Sequence, residues 1–218
     1  FVKAIASFMA PILAAWGATA DVFGMGWRIL FPLYMSVGIV AILLLNATEI
    51  KEGAEEKTEK QLGAAAQFAN ALRLLGNPAV LLCFLAIVCH VGMDVGINIT
   101  APKVLMERLG ITLETAGFAT SLYFIARTAG CLAGGFVMVR MKEWTFLLAS
   151  IVLMLVALSM LFLGAEQWVL YASIVLLGLA NSNPFSIIMA RALQAVPDKK
   201  NEASGLMIMG LFGGTVFP

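Results

Sequence analysis

Residues 79–100 read AVLLCFLAIVCHVGMDVGINIT, and the fold class follows from this stretch. A helix rises 1.5 Å per residue, so a run of this length covers the roughly 30 Å hydrocarbon core of a bilayer. The run is continuously apolar rather than alternating, which excludes a strand of a membrane barrel. Its only acid is Asp94, and His90 is the single histidine of the chain.

On either side of it, six more stretches fit that length or nearly fit it: 1–19, 27–46, 113–138, 144–164, 167–190 and 204–218. The expected fold is therefore an all-α membrane bundle with seven transmembrane segments. Composition agrees. The chain is 61% hydrophobic and 12% charged, where soluble domains carry about 25% charged residues, and mean hydropathy is +0.94. The net charge of +1 points to no nucleic acid or other strongly charged partner. The partner it implies is the lipid bilayer. The chain opens at Phe1 inside one apolar run and stops at Pro218 inside another, so we expect it to be a piece of a longer protein.

The connections between spans carry an uneven charge. One set holds Lys51, Lys57, Lys60, Arg73, Arg140, Lys142, Arg191, Lys199 and Lys200; the other holds Arg28, Lys103 and Arg108. Basic residues collect on the cytoplasmic side of membrane proteins, which places the first set inside. Trp27, Trp144 and Trp168 lie near expected span ends, where indole rings settle at the interface. Residues 47–77 form the longest connection. They begin with a mixed charge run through Glu49, Glu52, Glu55, Glu56 and Glu59, then read FANALRLL over 68–75, a short amphipathic helix expected at the membrane surface. Gly76-Asn77-Pro78 ends it and starts the next span. The organisation expected is an end of one membrane block over 1–46, a cytoplasmic linker over 47–77 and a second block over 78–218.

The three cysteines, Cys83, Cys89 and Cys131, all lie in apolar runs, which gives neither a disulfide framework nor metal-ligand spacing. No nucleophile–base pair, phosphate loop or cofactor motif is present, so an enzyme is not expected and no cofactor or metal is implied. A weak internal echo links the first and last spans: ASFMAP at 6–11 and GLFGGTVFP at 210–218 are both rich in small residues with a following Pro. Internal repeats of this kind are common in secondary transporters.

Several stretches carry a family resemblance. LLGNPAVLLCFLAIVCHVGMDVG at 74–96 resembles helix 7 of the fucose/galactose/glucose:proton symporters, members of the major facilitator superfamily. LYFIARTAG at 122–130 resembles that family's helix 8, and GLANSNPF at 178–185 its helix 10. The tail from Glu202 to Pro218 is similar to its helix 11. On this resemblance the chain spans about helices 5–11 of twelve. Residues 1–46 close the N-terminal six-helix half, and 78–218 belong to the C-terminal half. The resemblance implies a secondary active transporter in a bacterial inner membrane, a monomer, taking up a monosaccharide with protons by alternating access. The family usually has Glu where Asp94 stands and often Tyr where His90 stands. An exporter of drugs or metabolites in the same superfamily, or a transporter-like solute sensor, fits the same spans.

Ionisable and amide side chains inside a membrane are costly, so each is a candidate for function. His90, Asp94 and Asn98 are spaced by four and share one helix face. Asp94 is expected to bind substrate hydroxyls or carry a proton, or else to pair with another helix. His90 would relay protons or pack as a neutral ring. Arg127, the one Arg well inside a span, would pair with Asp94 or with a carboxylate elsewhere, either as a switch or as a fixed brace. Asn181 and Asn183 flank Ser182 just before Pro184, which has no backbone N–H, so the helix is expected to loosen there. Amides at such a place offer donors and acceptors to a sugar, or serve as glue between helices. Tyr123 would stack on a sugar ring or pack.

Overall fold

The structure is a computed structural model; it describes residues 26–48 and 64–216, with Leu13 and Gly24 besides. No strand occurs among the described residues. The chain divides into two compact units, Ala6–Leu62 and Phe1–Ile5 with Gly63–Pro218. The expected span 1–19 lies outside the described residues apart from Leu13, as do most of the charged residues of the expected linker and the first stretch of the sequence echo.

In the first unit, a 3-10 turn (Gly26–Ile29) leads into α1 (Leu30–Ala47). None of the described residues of α1 is buried, and Phe31, Met35, Leu43 and Leu45 are all more than 60% exposed. A helix apolar all round is suited to lipid or to partner helices. Side chains serve its last carbonyls: the Thr48 hydroxyl donates to the Leu44 carbonyl at 2.7 Å and the Asn46 amide to that of Ile42 at 3.0 Å.

The second unit holds seven helices among the described residues: α2 (Ala64–Arg73), α3 (Pro78–Leu109), α4 (Leu113–Met138), α5 (Glu143–Leu163), α6 (Gln167–Ala180), α7 (Pro184–Ala195) and α8 (Lys200–Val216). The amphipathic helix expected near 68–75 is α2 with the 3-10 turn Leu74–Gly76 behind it. Ala71 and Leu74 are buried against α3, α7 and α8, while Phe68 and Leu72 stay exposed. Asn77 caps α3 by accepting from the Ala79 N–H at 3.0 Å, and Pro78 fills the first helical position, where its missing N–H costs nothing.

Helix α3 outruns its expected end at residue 100. It continues through Pro102 to Leu109 as one element of 32 residues, about 48 Å at 1.5 Å per residue. Polarity ended the apolar run at residue 100 but does not end a helix. Gly110 does, in the left-handed conformation at φ 64°. Just beyond, Thr112 caps α4. Arg108 turns its guanidinium onto the Phe162 and Gly164 carbonyls at the end of α5, a cation on the negative end of a helix dipole.

Five stretches are long and apolar enough to cross a bilayer among the described residues: Leu30–Ala47, Pro78–Leu109, Thr115–Met138, Glu143–Leu163 and Gln167–Ala195. The expected last span is α8, a helix of 17 residues. The expected span 167–190 is not one helix. It is α6 and α7 with residues 181–183 between them.

Two apolar clusters make up the interior. One gathers Ile97, Leu105, Ala119, Met154, Leu170 and Leu177 from α3, α4, α5 and α6. The other gathers Val80, Ile87, Val91, Ala192, Ala203 and Leu206 from α3, α7 and α8, joined by Ala71 and Leu74. Helix α3 runs through both, packing along α8 and against α4 and α7, and α6 packs along α4 and α5. Asp94 stands on α3 between Val91 of one cluster and Ile97 of the other.

Candidate functional site

Asp94 lies 16 residues into α3, about 24 Å along its axis. Its carboxylate is the centre of a network drawn from three helical elements. Arg127 of α4 places Nη1 at 2.6 Å from both Oδ1 and Oδ2. Tyr123, one helical turn earlier on α4, donates its hydroxyl to Oδ1 at 2.5 Å. Asn181, at the end of α6, donates its amide to Oδ1 at 2.9 Å and to the Tyr123 hydroxyl at 2.5 Å. The spacing of Tyr123 and Arg127 by four on one helix is what lets both reach the same acid.

The network lies inside the protein. The Asp94 and Arg127 side chains are 16% and 13% exposed, Tyr123 is 1% and Asn181 0% exposed. A charge so placed is stable only when paired and hydrogen-bonded, and four donated bonds meet that need. With the Asn181 amide nitrogen used twice, its Oδ1 has no hydrogen-bond partner among the described residues. Gly178 allows this closeness: a Cβ there would run into the Tyr123 carbonyl and the Ala126 methyl.

Of the other expected site residues, Asn98 and Asn183 give their amides to backbone carbonyls and His90 lines a cavity. His90, on the face it shares with Asp94, is 6% exposed, and its ring lies 6.4 Å from that of Phe185 on α7. It lines a cavity of about 820 Å³ between α3, α5 and α7, whose walls include Cys83, Met93, Trp144, Met154, Pro184 and Arg191. Asn98 turns its amide back to the Asp94 carbonyl of its own helix at 2.7 Å. Asn183, 7% exposed, gives its amide to the Gly130 carbonyl on α4 at 2.9 Å and to the Ser182 hydroxyl at 2.7 Å. Tyr123 meets Phe124 edge-on at 5.3 Å, and its hydroxyl is committed to Asp94.

Two features escape a reading by spacing. Cys131, which looks like apolar filler, donates its thiol to the Ser182 carbonyl at 3.3 Å. Glu143 and Arg191, far apart in sequence, pair at 3.5 Å where α5 begins and α7 ends. Neither has a local signal, because each partner is supplied by a distant helix.

No curated protein and no solved structure matches this chain. The sequence profile of the Major Facilitator Superfamily matches residues 2–218. That match takes in the buried ion pair, the broken span and every described helix, and with it the chain belongs to the Major Facilitator Superfamily, a family of secondary transporters.

Proposed function

We propose that this protein is part of a proton-coupled symporter for a monosaccharide, working by alternating access in a bacterial inner membrane with residues 47–77 on the cytoplasmic side. The observation that carries the reading is the Asp94–Arg127 pair with Tyr123 and Asn181. An ionised Asp94 holds all four donated bonds. A proton on the carboxyl removes the charge that Arg127 answers. The guanidinium, the phenol and the amide are then available to oxygen atoms of a solute. Sugar hydroxyls offer both donors and acceptors, which suits a mixed set of one acid, one phenol and one amide. Binding and protonation then favour each other, which is the coupling a symporter needs.

In this scheme Asp94 carries the proton, Arg127 is its counter-charge, and Tyr123 and Asn181 meet the solute. His90 stands one turn away at the cavity wall, and Asn98 continues the same face. An exporter of lipophilic compounds has one observation on its side: the 820 Å³ cavity beside His90 is walled mainly by apolar side chains.

The test is uptake by the complete transporter in sealed proteoliposomes, with labelled fucose, galactose and glucose and an imposed inward proton gradient. Accumulation of one sugar that needs the gradient, and is lost in Asp94→Asn, is expected. A folded protein that takes up none of them removes the sugar assignment. Expulsion of a lipophilic dye under the same gradient would favour the exporter.

A further inference from the structure

Between α6 and α7 the chain crosses residues 181–183 with little backbone support. Asn181 N–H still reaches the Leu177 carbonyl at 2.9 Å. Ser182 N–H finds that of Leu179 only at 3.4 Å, and Ile187 N–H that of Asn183 at 3.3 Å. Pro184 has no N–H to offer. Side chains hold the break instead. The Ser182 hydroxyl donates to the Leu179 carbonyl at 2.7 Å, and Asn183 pins the segment to the Gly130 carbonyl of α4.

The seat on α4 is cut for this. A Cβ on Gly134 would overlap the Asn183 amide, and one on Gly130 would meet the Ser182 hydroxyl at 2.7 Å. Two residues before Asn183, Asn181 is bonded to the Asp94 carboxylate. One short segment thus touches the acid at one end and is fastened to α4 at the other. Beyond it, the far end of α7 packs Ala192 into the second apolar cluster and carries the Glu143–Arg191 pair, whose side chains are about half exposed. The cavity of about 820 Å³ lies alongside α7.

We propose that the α6–α7 break is a movable joint, seated on α4 by Asn183 over Gly130 and Gly134, and released when Asp94 loses its charge. Asn181 is the residue that senses the charge, and Asn183 is a positioning residue rather than a solute ligand. The groups that bear on Asp94 are Tyr123 and Arg127 from α4, Asn181 from the joint and His90 from α3 itself. Neutral Asp94 attracts the Asn181 amide less, the segment lifts, and α7 swings with it. This deepens the transport reading, on which its purpose rests, but its test needs no substrate.

Cys131 is the reporter, because its thiol is tied to the Ser182 carbonyl while the joint is seated. In the full-length protein with every other cysteine replaced by serine, the rate of Cys131 alkylation by N-ethylmaleimide is followed by mass spectrometry. Asp94→Asn, Asn181→Ala and Asn183→Ala are each expected to raise the rate about three- to tenfold, the range of one lost hydrogen bond. Asp94→Glu, which keeps the charge, is expected to keep the rate low. In the double variant Asp94→Asn/Asn183→Ala the two increases should multiply, because one opening then loses both contacts.

Rates for Asp94→Asn and Asn181→Ala within about twofold of the parent would overturn the joint. So would increases that merely add in the double variant, since each contact would then open by itself rather than with the other. Should Asp94→Asn fail to fold, Asn181→Ala decides alone. A joint that responds in a protein without sugar uptake would refute the sugar assignment and leave the joint standing.

Discussion

Replacing Arg127 with Met keeps a side chain of similar length and removes the counter-charge of Asp94. The carboxylate is 16% exposed and loses both 2.6 Å bonds from Nη1. Tyr123 and Asn181 remain as donors, both to Oδ1, so Oδ2 is left with no donor among the described residues. Removing one partner of a buried ion pair costs roughly 3–5 kcal/mol. At about 2–4 °C per kcal/mol for a chain of this size, melting should fall by about 6–20 °C. The paired change Arg127→Met/Asp94→Asn leaves no uncompensated charge, and the amide that replaces the carboxylate retains an oxygen for the Tyr123 hydroxyl. It should recover most of that loss, with an interaction energy of roughly 2 kcal/mol or more in the cycle. The assay is a thermal melt of the purified protein in one detergent for the parent, both single variants and the double. A double variant as unstable as the sum of the singles would overturn this account, because the pair would then carry no coupling.

Three other outcomes follow from the same geometry. Tyr123→Phe removes the donor to Asp94 and the acceptor for Asn181, and should cost about 1–3 kcal/mol in the same melt, as expected for a lost bond to a charged group. Gly214→Ala puts a Cβ 2.5 Å from the Val88 carbonyl and 2.8 Å from the Val91 Cβ, so α8 must back away from α3; a loss of about 1–3 kcal/mol is expected, whereas Gly205→Ala, inside the same helix and meeting nothing within 4 Å, should stabilise by about 0.5–1 kcal/mol. Arg108→Gln strips the guanidinium from the Phe162 and Gly164 carbonyls and should lower stability by about 1–2 kcal/mol, read as increased hydrogen exchange at the end of α5.

Much of the architecture was legible in residues alone, for a physical reason. Crossing a bilayer imposes a length and a hydropathy on each helix, and both are properties of consecutive residues. The runs at 27–46, 79–100, 113–138 and 144–164 therefore mark helices that the structure contains, and Gly76-Asn77-Pro78 marks a boundary that the Asn77 cap realises. Hydropathy speaks of where lipid can be tolerated, not where a helix stops, so α3 passes residue 100 unmarked and ends on Gly110. The loosened helix at Asn181–Pro184 was legible because Pro acts on its own backbone.

The order of residues was enough to place Asp94 and Arg127 as ionisable groups inside spans, and to put Asp94 on one face with His90 and Asn98. Their partners came only with the packing of the helices. Asp94 takes Tyr123 and Arg127 from α4 and Asn181 from the end of α6, while Asn98 bonds back to its own helix and His90 faces a different wall. Which amide meets the acid and which meets the Gly130 carbonyl depends on how α6 lies across α4, and that is set by Gly130, Gly134 and Gly178 leaving room. Helix periodicity fixes the direction of a side chain from its own axis; the packing of one helix on another fixes what stands in that direction.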